Sequence, residues 1–127
     1  DRPIVVVGRD SSSGTFESWQ ELVMGKTRVS PRAQLQSSSG GVVQAVASNE
    51  NAIGYIGIGY MDKQTKALEV DGKVASMASA KDRTWPIARD LYLFTVTESA
   101  DAKKLLDYAL SAEGQKFVEK SGFVPVN

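Results

Sequence analysis

Most of the chemistry available to this chain lies in one stretch, Arg9-Asp10-Ser11-Ser12-Ser13-Gly14-Thr15, which directly follows the β-branched run Ile4-Val5-Val6-Val7. Ser13 and Thr15 offer hydroxyl donors. Gly14 lets its main-chain N–H approach a ligand with no Cβ in the way. Arg9 carries a planar fork that can grip two oxygens at once. This donor set suits a tetrahedral oxyanion, because a phosphate dianion stripped of water needs many donors to offset its desolvation. Asp10 cannot serve a dianion directly, but it could hold the Arg9 guanidinium in place. Ser11 and Ser12 are supporting candidates. The plainer reading is that Ser12 or Ser13 caps a helix. The stretch is not a Walker loop, since no lysine follows its second glycine at the required spacing.

Other chemistries are limited by composition. The chain has no cysteine and no histidine, which excludes thiolate nucleophiles, thiolate metal sites and Ser-His-Asp triads within it. Lys+Arg and Asp+Glu both number 15, so no net charge attracts a nucleic-acid backbone. Neither a cofactor nor a metal site is expected. With 42% hydrophobic and 24% charged residues in 127, one globular domain with a real core is expected. No apolar run approaches the roughly 20 residues of a membrane span. The opening Asp1-Arg2-Pro3 runs straight into a strand. That suggests a mature protein or an excised piece, with any signal sequence outside it.

Strands and helices alternate, which indicates an α/β layered fold. Residues 4–7 read as a buried strand of a parallel or mixed sheet. The loop at residues 8–15 then leads into a helix with Phe16, Trp19, Leu22 and Val23 on one face and Gly25 at its end. A strand–loop–helix of this kind is ready to take an anion, because the first helical turn presents unpaired N–H groups and a partial positive charge. Residues 26–37 read as irregular. A second polar loop, Ser37-Ser38-Ser39-Gly40-Gly41, precedes a helix with Val42, Val43, Val46 and Ala47 in its apolar stripe. Ser39 is a possible second anion contact, although a flexible loop with a cap explains the stretch as well. Residues 52–58 read as a strand whose Gly54 and Gly57 suggest close backbone approach. Asp71-Gly72 predicts a hairpin. Residues 76–85 read as loop, 85–89 as extended and 91–96 as a strand. Ser99 and Ser111 are expected to cap two final helices. The first carries Ala102, Leu105, Leu106 and Ala109 on one face, and the second buries Phe117 and Val118. Gly122 should end the last helix. Trp19 and Trp85 read as packing residues, while Tyr55 and Tyr60 suit a cleft, core or edge position equally.

Arg9-Asp10-Ser11-Ser12-Ser13-Gly14-Thr15 resembles the Arg-x-x-x-Ser-Gly-Thr loop of the phosphate-binding receptors of ABC importers. Ala52-Ile53-Gly54-Tyr55 is similar to that family's Ala-Ile-Gly-Tyr strand. Residues 85–92 are similar to its Tyr-Pro-x-x-Arg-x-Leu-Tyr segment, with Trp85 at the first position. Ser111-Ala112-Glu113-Gly114-Gln115 resembles its Ser-x-x-Gly-Gln, and Gly122-Phe123-Val124-Pro125 its closing Gly-Tyr-x-Pro. The stretches follow the family's order across nearly the whole chain. Some members carry Asp two residues after the Arg, where this chain has Ser11; Asp10 is the candidate for that role.

The resemblance implies a type II periplasmic-binding-protein fold, with a mixed sheet flanked by helices. Residues 1–127 would form the second lobe plus the C-terminal return segment, the first lobe being absent. It implies phosphate contacts from Arg9, Ser13, Gly14 and Thr15, and no catalysis. It also implies an extracytoplasmic setting, periplasmic or at the bacterial cell surface, and a membrane permease as partner. The missing lobe would add further donors and a carboxylate that accepts the proton of hydrogen phosphate. Arg89 is a candidate hinge or inter-lobe residue. A swapped homodimer is possible if the return segment finds no lobe of its own. Other readings are a receptor for sulfate, molybdate or tungstate, and a phosphate-ester hydrolase using Ser13. The last lacks any base near Ser13 except Asp10.

Overall fold

The computed structural model describes residues 2–96 and 99–127. Its centre is strand β1 (Val5–Arg9), whose β-branched residues suit a strand covered by neighbours. β1 pairs in parallel with β2 (Gln34–Gln36) on one side and β3 (Ala52–Gly54) on the other. The order is therefore β2-β1-β3. Val7 faces Gln34 across one ladder and Gly54 across the other.

Helix α1 (Gly14–Trp19) starts where β1 and its loop end, and continues as a π-helical turn (Gln20–Met24). Gly25 closes it at φ 56°, a conformation that glycine adopts without Cβ strain. Helix α2 (Ser39–Ala47) packs on the sheet through Val42 and Val43, which form the buried apolar centre with Val7. Val7 and Val42 are each only 1% exposed, so this point is the anchor for everything β1 carries.

Beyond β3 the chain makes a 3-10 turn (Ile58–Tyr60), then α3 (Met77–Lys81), α4 (Ala100–Leu110) and α5 (Ala112–Lys120). The serine caps form as expected: Ser99 Oγ accepts from Ala102 N, and Ser111 Oγ from Gly114 N, each at 3.1 Å. After α5 the chain turns at Gly122 (φ 80°) and lies against the 3-10 turn. A Cβ on Gly59 would overlap the Gly122 backbone. Gln115 is buried and holds the tail: its Nε2 donates to Ala109 O, and its Oε1 accepts from Val126 N, both at 2.7 Å.

Several expectations are corrected. The expected mixed sheet is parallel throughout among the described residues. Residues 26–37, read as irregular, contain β2. The strand expected over 52–58 stops at Gly54, and Ile58 begins a 3-10 turn instead. Gly54 does meet a close neighbour, since a Cβ there would stand 2.7 Å from Val42 Cγ1. Gly57 does not; the close approach belongs to Gly59. The Asp71-Gly72 turn forms, with φ 51° and 71°, but closes only the single bridge Val70–Lys73. Residues 76–85, read as loop, hold α3, capped reciprocally by Ser76 and Ser79. Residues 91–96 pair with no strand among the described residues and lie exposed, Phe94 at 90% and Val96 completely. Leu105 and Phe117 are exposed, whereas Ala102, Leu106, Ala109 and Val118 are half-buried.

Candidate functional site

The polar loop leaves the carboxyl end of β1, the edge at which open α/β sheets bind ligands. Ser13 is the N-cap of α1: its Oγ accepts from Phe16 N at 3.3 Å, and its own N–H donates to Asp10 O at 3.1 Å. The capping reading is therefore correct for Ser13. It does not compete with anion binding, because a hydroxyl that accepts still has its proton to donate. Ser13 is buried, while Gly14 and Thr15 are half-buried at the opening of α1.

Arg9 is set differently from expectation. Its Nε donates to Gln36 O at 3.2 Å, one terminal nitrogen to Ser39 Oγ at 3.2 Å and the other to Ser37 O at 3.1 Å. The guanidinium is thus fixed by the second polar loop, and by the buried Ser39 at the start of α2. Its main-chain N–H donates to Tyr55 Oη at 3.2 Å. Tyr55 stacks on Trp19, with ring centroids 4.7 Å apart and planes 4° from parallel. β1, the segment after β3, and α1 are thereby tied together behind the loop. Trp19 is a packing residue, Tyr55 supports the loop from behind, and Tyr60 is exposed.

Asp10 does not clamp Arg9; the two form no ion pair within the described residues. Its carboxylate accepts instead from Ser12 N at 3.0 Å and from Ser12 Oγ. These bonds, the hydroxyl's above all, hold the Asp10 carboxyl below the ordinary aspartate range. Asp10 and Ser12 shape the loop as a local turn. Ser11 lines an open cleft of about 550 Å³ with Arg9, Gln20, Lys26, Arg28 and Ser30.

One residue reaches this site unannounced by its sequence context. A Cβ on Gly14 would stand 2.6 Å from a terminal nitrogen of Arg89, so the Arg89 guanidinium lies over the first turn of α1. The adjacent carboxylate, Asp90, pairs with Arg83 at 2.5 Å and accepts from Tyr92 Oη at 3.2 Å. The Arg83 bond is the main cause that lowers the Asp90 pKa, and Asp90 in turn raises that of Arg83.

A parallel α/β layer with a donor-rich turn at the carboxyl end of its central strand has the make-up of a solute-binding lobe. The chain belongs to the PBP superfamily, whose domain model matches residues 1–113. Among curated proteins it is similar to phosphate-binding protein PstS 2 of Streptococcus pneumoniae, at 33% identity over 133 residues, 95% of this chain and 45% of that protein. Among solved structures it is similar to a phosphate-binding protein of a phosphate ABC transporter from Streptococcus pneumoniae. That match has a TM-score of 0.83 at 29% identity, covering 99% of this chain and 52% of the other. A putative phosphate ABC transporter substrate-binding protein from Clostridium perfringens, solved with bound phosphate, matches at TM-score 0.77 and 31% identity, over 100% of this chain and 54% of the other. The chain thus spans about half the length of the curated relatives it matches (46% and 45% in two of them).

Proposed function

We propose that this chain is one lobe of an extracytoplasmic solute-binding component of an ABC importer, binding inorganic phosphate reversibly. In this reading residues 1–127 are the second lobe with its return segment, and the first lobe closes over the ligand. Arg9, Ser13, Gly14 and Thr15 contact the anion. Asp10 and Ser12 shape their loop, Ser39 fixes Arg9, and Ser11 faces the cleft. The membrane permease is the partner that receives the ligand, and the setting is the periplasm or the bacterial cell surface.

The observation that carries the reading is the fixing of Arg9 by Gln36 O, Ser37 O and Ser39 Oγ. A guanidinium held in advance beside a capped helix start loses little freedom on gripping an anion. The phosphate named in the relatives' descriptions supports the choice among oxyanions. The chain acts as a binder and not as a catalyst: the loop's carboxylate, Asp10, accepts from Ser12 and makes no bond to Ser13 that would activate it.

Calorimetric titration of phosphate, and of sulfate in parallel, tests this. Phosphate binding that is lost in Arg9→Ala, with sulfate binding more weakly, is the expected result. Sulfate or molybdate binding tighter than phosphate would replace the ligand. Release of phosphate from an ester, abolished by Ser13→Ala, would replace the binding role with a catalytic one.

A further inference from the structure

The approach of Arg89 to Gly14 is the least explained feature of the site. Arg89 follows Trp85-Pro86-Ile87-Ala88, in which Trp85, Ile87 and Ala88 are half-buried and Trp85 N donates to Ser79 O at 2.9 Å. The segment is therefore anchored just before Arg89, and the side chain is delivered to α1 from outside the sheet. Among the described residues the Arg89 guanidinium has no hydrogen-bond acceptor and no carboxylate partner. Asp90, its neighbour, is already paired with Arg83. Arg89 is exposed and its guanidinium, lying against Gly14 beside the Ser13 N-cap, keeps its donors available to an anion bound at that turn.

We propose that Arg89 is a second guanidinium of the anion site, closing on the bound oxyanion beside the first turn of α1. This rests on the reading that the Arg9–Thr15 loop binds phosphate. The two arginines divide the work. Arg9 has bonds from all three of its nitrogens to protein oxygens and acts as a fixed wall. Arg89 keeps its donors for the ligand, and its charge favours the dianion over the monoanion. Gly14 has no side chain because the space above it is occupied by Arg89.

The test is titration of inorganic phosphate into the 127-residue chain, in mildly alkaline buffer where the dianion dominates and in mildly acid buffer where the monoanion does. Wild type, Arg89→Ala, Arg89→Lys, Gly14→Ala and Arg9→Ala are compared, each with a thermal melt. Arg89→Ala is expected to weaken dianion binding by about tenfold or more, and monoanion binding less, with the melt unchanged. Arg89→Lys should recover part of the loss. Gly14→Ala should weaken binding too, since its methyl displaces the guanidinium while leaving every charge in place. Unaltered affinity in Arg89→Ala, beside a wild type that binds and an Arg9→Ala that does not, would overturn the Arg89 assignment alone. An equal loss at both pH values with a lowered melt would also overturn it, making Arg89 structural. A wild-type chain that fails to bind phosphate would overturn the site reading and this inference together.

Discussion

Arg9 and Tyr55, separated by 46 residues of chain, meet where the Arg9 main-chain N–H donates to the Tyr55 hydroxyl at 3.2 Å. The same ring stacks on Trp19. The end of β1 is therefore held by a side chain from beyond β3 and not by sheet pairing alone. Tyr55→Phe keeps the stack and removes the acceptor. It should lower unfolding stability by about 1 kcal/mol, read by urea denaturation. Tyr55→Ala removes the stack as well and should lower it by more.

Arg9 reaches three acceptors, at the end of β2, in the loop and at the start of α2, because its guanidinium is a rigid fork. A lysine ammonium is a single point and cannot satisfy all three from one position. Arg9→Lys is therefore expected to resemble Arg9→Ala in phosphate titration more than wild type. Ser39→Ala removes one of the three acceptors, and a smaller loss of affinity is expected. Retention of full affinity in Arg9→Lys would show that charge alone suffices.

Asp10 and Asp90, like Asp82 with its bonds from Thr84, should resist protonation. Asp10 is lowered by its bonds from Ser12, and Asp90 by its bond from Arg83. A carboxyl with a folded-state pKa below its unfolded value contributes stability above the unfolded value, and loses that contribution as pH falls through the folded one. Acid should therefore release the Asp10–Ser12 turn only below the ordinary aspartate range of roughly pH 3.9. Neither group is buried, so the effect on global stability is small. Carbon-detected NMR titration of the side-chain carboxyls checks it, and Ser12→Ala should move the Asp10 midpoint upward.

Gln115 joins Ala109 O to Val126 N from a buried position. Gln115→Leu would leave both main-chain groups unpartnered. The expected loss is roughly 1–3 kcal/mol, with faster amide exchange at Val126 and earlier proteolysis of the tail.

Much of the site was legible because its signals are local. Ser13, Ser38, Ser99 and Ser111 all cap helices, and Gly25 and Gly122 end them, because capping depends on neighbouring residues. β2 was not legible: Gln34-Leu35-Gln36 has no β-branched residue and is a strand only because β1 lies beside it. Residues 91–96 have a strand's composition, yet pairing decides strands and none is made here. α3 was missed because its capping box uses Ser79 where Glu or Gln is usual. The partner of Asp10 was misassigned because a carboxylate beside an arginine in sequence can turn toward a nearer serine. Arg89 over Gly14 is a contact between distant segments, and nothing local announces it.

The meeting of Gly59 and Gly122 is main chain against main chain. Where a glycine faces a side chain, as Gly54 faces Val42, a neighbour can choose another rotamer. At this seam there is no rotamer to choose on either side. Random mutagenesis followed by selection for folded protein should therefore return a one-letter alphabet at position 59 and little beyond glycine and asparagine at position 122. Compensating second mutations, common in side-chain packing, should be absent there.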